Sequence, residues 1–150
     1  MKPEVDTILG TTAMQLMTQI AAELPPGYTQ SSAGLMGMLL SLCAQEYENG
    51  ADIRAGENAE MRNLLAELEG AVEDAKLRGK LGTVMGDRDA SLKISDLNYS
   101  NGELKKLLIE VQAHLETRDD EKAKLGRREI WAVLKAQAKR RLVKLPGMPG

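Results

Sequence analysis

Residues 31–77 of the chain run SSAGLMGMLLSLCAQEYENGADIRAGENAEMRNLLAELEGAVEDAKL. With about 100° of rotation per residue, apolar side chains recur on one stripe from Leu35 onward and hold phase for about eleven turns. A phase held for that length predicts one continuous helix. The alternative is a break at Asn49-Gly50, because this dipeptide is typical of turns and Asp52 can cap a new helix.

Polar groups interrupt this stripe. Glu46 and Glu57 lie on it, and Arg54 precedes Glu57 by three residues, so the last two side chains can meet on one helix face. A buried carboxylate is costly unless it is paired or protonated. One hypothesis is therefore a ligand pocket inside a bundle, formed by these three side chains and His114, the only histidine. The alternative is a structural polar network, or side chains that face water because the stripe is only partly covered.

The composition favours helices packed on helices. The chain has 150 residues, enough for one domain with a real core. It is 43% hydrophobic but only 3% aromatic and contains no Phe, so that Leu, Met and Ala must fill the core. We therefore predict a single all-α domain over residues 1–150, an up-and-down bundle of about four helices with one long helix.

Helix boundaries follow from punctuating residues. Pro25-Pro26-Gly27 ends the first helix, and Asp119 or Asp120 begins the last. The predicted helices cover roughly residues 3–24, 31–77, 90–117 and 120–144, with a flexible loop over 78–89.

The third predicted helix carries a coiled-coil-like pattern with apolar residues at 3-4 spacing over about three heptads. Asn101 takes an a position there, where its amide can bond a counterpart and fix register and partner number. Alternatively, Ser100-Asn-Gly-Glu103 is a capping box, and the helix begins at about Asn101. The residues predicted to mediate self-association are Leu97, Asn101, Leu104 and Leu108.

Charge is spread unevenly along the chain. The net charge is −2, yet residues 122–144 contain nine basic residues and one acidic residue, so that this segment carries +8 and the remainder −10. Arg128, Lys135 and Lys139 form a basic surface on one side of the predicted helix, and Trp131 is predicted on its apolar face. Nucleic-acid surfaces concentrate charge and add exposed aromatic rings. The pattern therefore favours docking against the acidic remainder, or solvation, over binding of nucleic acid or an anionic membrane.

Several observations bear on the compartment. The single Cys43 excludes an internal disulfide, and its apolar surroundings predict a buried thiol. Glu4 and Asp6 stand where a secretory signal would need an apolar region. The longest apolar run, residues 33–44, is too short to span a bilayer. We expect a cytoplasmic protein without a membrane span.

The predicted function is non-catalytic. A long helix with an apolar stripe must find a partner, which predicts a homodimer, open to a further protein partner, acting in assembly, scaffolding or regulation. The sequence assigns no catalytic residue, metal or cofactor. Glu110-x-x-x-His114 has the helical spacing of metal ligands but only one histidine, and no nucleophile motif lies near it. The alternative is a ligand- or metal-binding bundle, including an enzyme, that uses the polar groups on the stripe. A second alternative is binding of nucleic acid or an anionic surface through the basic C-terminal helix.

Overall fold

A computed structural model describes residues 4–84 and 86–143, and every regular element in these ranges is helical. The predicted all-α bundle is confirmed. The first helix, α1, spans Val5–Gln15 and continues as a π-helical segment, Leu16–Ile20, and a last turn, Ala21–Glu23. The others are α2 (Tyr28–Glu67, followed by a 3-10 turn, Leu68–Ala71), α3 (Ala75–Val84), α4 (Ile94–Glu116) and α5 (Glu121–Arg140).

The chain forms two compact units. Unit 1 is the part up to Gly50 together with the residues after Arg141, and unit 2 is Ala51–Arg141. Helix α2 belongs to both, because its 40 residues continue without a break through Asn49 and Gly50. The prediction of a continuous helix at this dipeptide is confirmed. No helix in the described ranges is both long enough and apolar enough to cross a membrane.

Unit 1 is built on an antiparallel pair, α1 and the first half of α2. Near the turn, Gln30 Nε2 donates to the Ala21 carbonyl at 3.0 Å. Farther along, a Cβ added to Gly37 would lie 2.5 Å from Met17 Cγ and 2.9 Å from the Ala13 carbonyl oxygen. The two helices approach so closely here that only glycine fits.

Unit 2 contains the hydrophobic core. The second half of α2 packs beside α4 and α5, and α3 covers the same core. A Cβ on Gly126 of α5 would lie 2.8 Å from Leu68 Cδ2 and 2.9 Å from Leu115 Cδ1, so α5 is in close contact with its neighbours. The fully buried apolar side chains of this core are Met61, Leu65, Leu68, Val72, Leu81, Val111, Leu115, Ala123 and Ile130.

The segment between the long helix and α4 differs from the prediction. Helix α2 ends at Glu67 rather than near residue 77, and α3 occupies much of the interval predicted as helix end and loop. Asp74 explains the new helix, because its Oδ1 accepts a hydrogen bond from the Leu77 N–H at 2.7 Å. This N-cap signal was present in the sequence and was missed.

The last two helices agree more closely with the sequence. Helix α4 begins at Ile94 and continues through Asn101, so that the late start at Asn101 is wrong. Asp120 caps α5 as predicted, accepting from the Ala123 N–H at 3.1 Å. The predicted helix start at residue 3 and the predicted end at 144 lie outside the described residues.

Candidate functional site

The apolar stripe of α2 is covered in one unit and uncovered in the other. In unit 2, Glu57, Met61 and Leu64 are buried. In unit 1, Leu35 and Leu39 on the same stripe are 53% and 51% exposed. The predicted stripe therefore faces the core in unit 2, whereas in unit 1 the predicted face is wrong, because Leu35 and Leu39 lie away from the Gly37 side that meets α1.

A polar network inside unit 2 is centred on Asn58, which is fully buried. Its Nδ2 donates to Asp89 Oδ1 at 2.9 Å and to the Leu97 carbonyl at 3.1 Å. Its Oδ1 accepts from Asn101 Nδ2 at 2.8 Å. Both amide N–H groups and the carbonyl are therefore used. Asn101 bonds a second asparagine, as the coiled-coil pattern suggested, but the partner belongs to the same chain.

Asp89 joins this network to a cation. Arg62 Nη2 donates to its carboxylate at 2.8 Å. Burial of Asp89 opposes ionisation, but hydrogen bonds from Arg62, Asn58 and Ser100 and the charge of Arg62 outweigh it, so that the pKa of Asp89 is lowered. Asp89 is therefore ionised, and its hydrogen bonds from Asn58 and Arg62 attach the loop before α4 to α2. The Arg62 Nε is buried and has no hydrogen-bond partner among the described residues.

Glu57 is held by an arginine at the end of α5. Arg141 Nε donates to Oε1 at 2.7 Å and Nη2 to Oε2 at 2.5 Å. Burial opposes ionisation of Glu57, but this bidentate pair, with the charges of Lys105 and Arg140, outweighs it and lowers the pKa of Glu57. Both carboxylate oxygens are thus occupied, which suits a structural role. No group of three or more His, Cys, Asp or Glu side chains within residues 4–84 and 86–143 is arranged to hold a metal ion.

Of the four residues predicted for a pocket, three lie in unit 2, and there His114 is distant from Arg54 and Glu57. Glu46 is exposed in unit 1, whereas Glu57 is buried in unit 2. Arg54 Nε donates to Asn98 Oδ1 at 2.8 Å. His114 Nε2 accepts from the Glu73 N–H at 3.3 Å, and it lies thirteen residues, or about 20 Å, along α4 from the end that contacts Asn58.

The four residues predicted for self-association lie in the interior of unit 2. Leu97, Asn101, Leu104 and Leu108 are all buried by their own chain. The heptad pattern therefore describes a face that α4 presents to α2 and its neighbours. Contact between copies through these side chains would require unit 2 to open.

The face of α5 that meets the core differs from the prediction. Ala123, Gly126 and Ile130 are buried, while Trp131 is 65% exposed. The close approach at Gly126 explains this difference, because it turns Ile130 into the core and the next residue outward. The placement of Trp131 on the apolar face is therefore wrong.

The predicted basic surface is exposed. Arg128, Lys135 and Lys139 all point to solvent. Among the part of the chain that the structure describes, none of the three forms an ion pair. Trp131 lies beside them and lines an open pocket with Lys124, Arg127 and Arg128.

A second exposed surface lies on α2 in unit 1. We call it the neutral face and define it by Tyr28, Leu35, Met36, Leu39 and Cys43, which are all exposed and fall within about 100° around the helix. The opposite side of α2, which meets α1, presents the small residues Ala33 and Gly37. The prediction that the Cys43 thiol is buried is wrong, because α1 covers the small-residue side instead.

These two surfaces, rather than the buried polar network, are open to a partner. Apart from the Arg62 Nε, the network residues satisfy one another, while the neutral face and the basic side of α5 are exposed. No family model, no curated protein and no solved structure matches this chain. Function is therefore inferred from these surfaces alone.

Proposed function

We propose that this protein is a non-catalytic assembly protein that self-associates through the neutral face, which pairs with the same face of a second copy. A single observation carries the proposal. Among the described residues of unit 1, those apolar residues that are buried below one-tenth exposure are alanines, Ala13, Ala21 and Ala33, whereas large side chains such as Leu35 and Leu39 remain about half exposed. The larger side chains between the two helices, such as Leu16, Met17 and Leu40, are only partly buried, so the pair leaves much of its apolar surface for a partner to cover.

The energetics favour a weak, concentration-dependent dimer. Burying the exposed half of a large apolar side chain contributes about 1 kcal/mol. Tyr28, Leu35, Met36 and Leu39 from both copies together contribute about 8 kcal/mol by this measure. Association itself costs about 4–15 kcal/mol, so the neutral face alone supports modest affinity.

Charge argues for a second copy as the partner. The sequence contains no charged residue from Leu24 to Gln45. Such a face neither repels its own copy nor selects a partner of opposite charge. In a two-fold dimer the same patch is used on both subunits, and two antiparallel helix pairs meeting in this way form a four-helix arrangement.

The proposal includes a cytoplasmic location and a coiled-coil-type helix contact between copies. A ligand pocket on the stripe is supported less well, because both carboxylate oxygens of Glu57 are bonded to Arg141 and His114 lies far from Glu57 within unit 2. We therefore propose no second function for these polar groups.

Light scattering at increasing protein concentration tests the dimer. We expect the mass to rise from 16.4 kDa toward twice this value. The variant Leu35→Lys/Leu39→Lys places two charges on the neutral face and should remain a monomer with unchanged helical circular dichroism. The matched control Leu92→Lys/Ile109→Lys alters two exposed apolar side chains of unit 2 and should dimerise like the wild type.

Cys43 provides an independent readout, since it is the only cysteine and lies on the neutral face. Its rate of labelling by a thiol reagent should fall as protein concentration rises, and should not fall in Leu35→Lys/Leu39→Lys. A wild-type chain that stays monomeric, or a control variant that dissociates as readily as the test variant, would overturn the proposal.

A further inference from the structure

We propose that α5 binds single-stranded nucleic acid through an exposed basic stripe, defined by Lys124, Arg128, Trp131, Lys135 and Lys139. At 100° and 1.5 Å per residue, these five side chains lie within about 80° around the helix and extend over about 22 Å. All but Lys124 are exposed, and Lys124 is half-buried. The stripe belongs entirely to unit 2, whereas the neutral face belongs to unit 1.

The stripe carries charge that its own chain does not neutralise. Arg128, Lys135 and Lys139 make no ion pair with any described residue. Lys124 pairs with Glu121 at 3.1 Å, but the Glu121 side chain is 92% exposed. An ion pair so open to water is weak and readily exchanged for a phosphate.

Trp131 adds a stacking surface in the middle of this charge. Its ring is mostly exposed, and it lines a pocket with Lys124, Arg127 and Arg128. The exposed indole has cations on both sides along the helix. A nucleotide strand offers matching groups, because its bases can stack on the indole while its phosphates contact the cations. Stacking of this kind tolerates any base, so we expect little sequence preference.

The same features disfavour other anionic partners. A duplex hides its base faces within the stack, so that Trp131 would have no surface to stack on. A membrane-surface helix needs a broad apolar face, whereas Trp131 is the only apolar member of the stripe. An acidic peptide supplies charge but no flat aromatic partner for the indole. A single strand is the one partner that uses both the cations and the ring.

The experiment uses Trp131 as the reporter, because it is the only tryptophan in the chain. Titration with an oligothymidine strand should quench its fluorescence. With three unneutralised cations, the logarithm of the binding constant should fall with the logarithm of salt concentration with a slope of about −2.

Two variants of equal charge locate the site. Arg128→Ala/Lys135→Ala/Lys139→Ala should weaken binding by about tenfold or more. The control Lys76→Ala/Lys93→Ala/Lys122→Ala removes three other exposed lysines and should retain most of the affinity. For Trp131→Ala, binding is followed by the anisotropy of a labelled strand, and the affinity should fall by about tenfold.

Several results would overturn the proposal: absence of quenching, a salt-independent signal, or equal losses in the two triple variants. Quenching by anionic lipid vesicles but not by the oligonucleotide would identify a membrane surface instead. Equal quenching by polyglutamate would show attraction to any polyanion. The measurement is repeated on Leu35→Lys/Leu39→Lys, so that a failure of the dimer is distinguished from a failure of strand binding.

Discussion

Glu57 and Arg141 share an ion pair but differ in their exposure to water. The Glu57 side chain is fully buried, while the Arg141 side chain is 43% exposed. Removing the arginine therefore leaves a buried carboxylate without its partner inside unit 2. Removing the carboxylate leaves a guanidinium that water can still solvate. We expect Arg141→Ala to lower the free energy of unfolding by about 3 kcal/mol, and Glu57→Leu to change it much less. Chemical denaturation at neutral pH measures both.

Arg140 is the matched control for this prediction. Its guanidinium pairs with Glu60 at 2.6 Å, but both side chains are over one-third exposed. Arg140→Ala should therefore cost less than about 1 kcal/mol. If Glu57→Leu proves as destabilising as Arg141→Ala, the attraction between Glu57 and Arg141, rather than the cost of leaving a buried carboxylate unpaired, would account for the loss of stability.

At the residue scale, the sequence predicts where a polar group lies but not what it bonds. Glu57 and Asn101 stand on apolar stripes, and both are buried. Their partners, Arg141 and Asn58, are separated from them by 84 and 43 positions in the chain. Helical periodicity has no information at such separations, because it describes one helix at a time.

Among the helices, Gly126 determines how α5 sits against the core. Gly126→Ala would place a methyl group within 2.9 Å of Leu68 Cδ2 and Leu115 Cδ1. The better helix propensity of alanine, about 1 kcal/mol, is opposed by an overpacking cost of about 1–3 kcal/mol. We expect a net loss of stability in thermal or chemical unfolding.

Gly102 is the control for this substitution. It lies inside α4, and no atom of the described chain beyond its own helix backbone lies within 4 Å of where a Cβ would stand. Gly102→Ala should therefore raise the free energy of unfolding by about 0.5–1 kcal/mol. Equal stabilisation by both substitutions would show that the Leu68 and Leu115 side chains move aside without lowering the free energy of unfolding.

At the element scale, the pattern predicts helices well and helix faces less well. On α2 the predicted stripe is buried from Glu57 to Leu64, whereas in unit 1 Leu35 and Leu39 are exposed and the opposite side of the helix meets α1. On α5 the pattern favoured Trp131 over Ile130 as the core residue, because hydrophobicity alone does not distinguish two adjacent apolar side chains. The packing of neighbouring helices decides between them, and here the close contact of Gly126 with the Leu68 and Leu115 side chains does so.

For the whole molecule, stability should depend on pH through two hydrogen-bonded carboxylates, the buried Glu57 and the partly buried Asp89. The pKa values of Glu57 and Asp89 are both lowered on folding. The unfolded chain therefore binds protons more readily than the folded one. The two carboxylates stabilise the fold above their unfolded pKa, and this stabilisation is lost as the pH falls through their folded pKa. We expect stability to decline below about pH 4.5, the ordinary pKa of Glu57.

Chemical denaturation over a series of acidic pH values tests this. Glu57→Leu removes one of the two carboxylates and should lose less stability on acidification than the wild type does. Parallel curves for the two proteins would mean that Glu57 does not contribute to acid sensitivity.

The neutral face also bears on how the protein can be regulated. The sequence has no lysine or arginine from residue 3 to residue 53, so acetylation of lysine cannot alter the charge of this surface. The basic stripe, in contrast, offers exposed Lys135 and Lys139, whose acetylation would remove positive charge. We therefore expect lysine acetylation to weaken the proposed strand binding and to leave the proposed pairing of two copies unchanged.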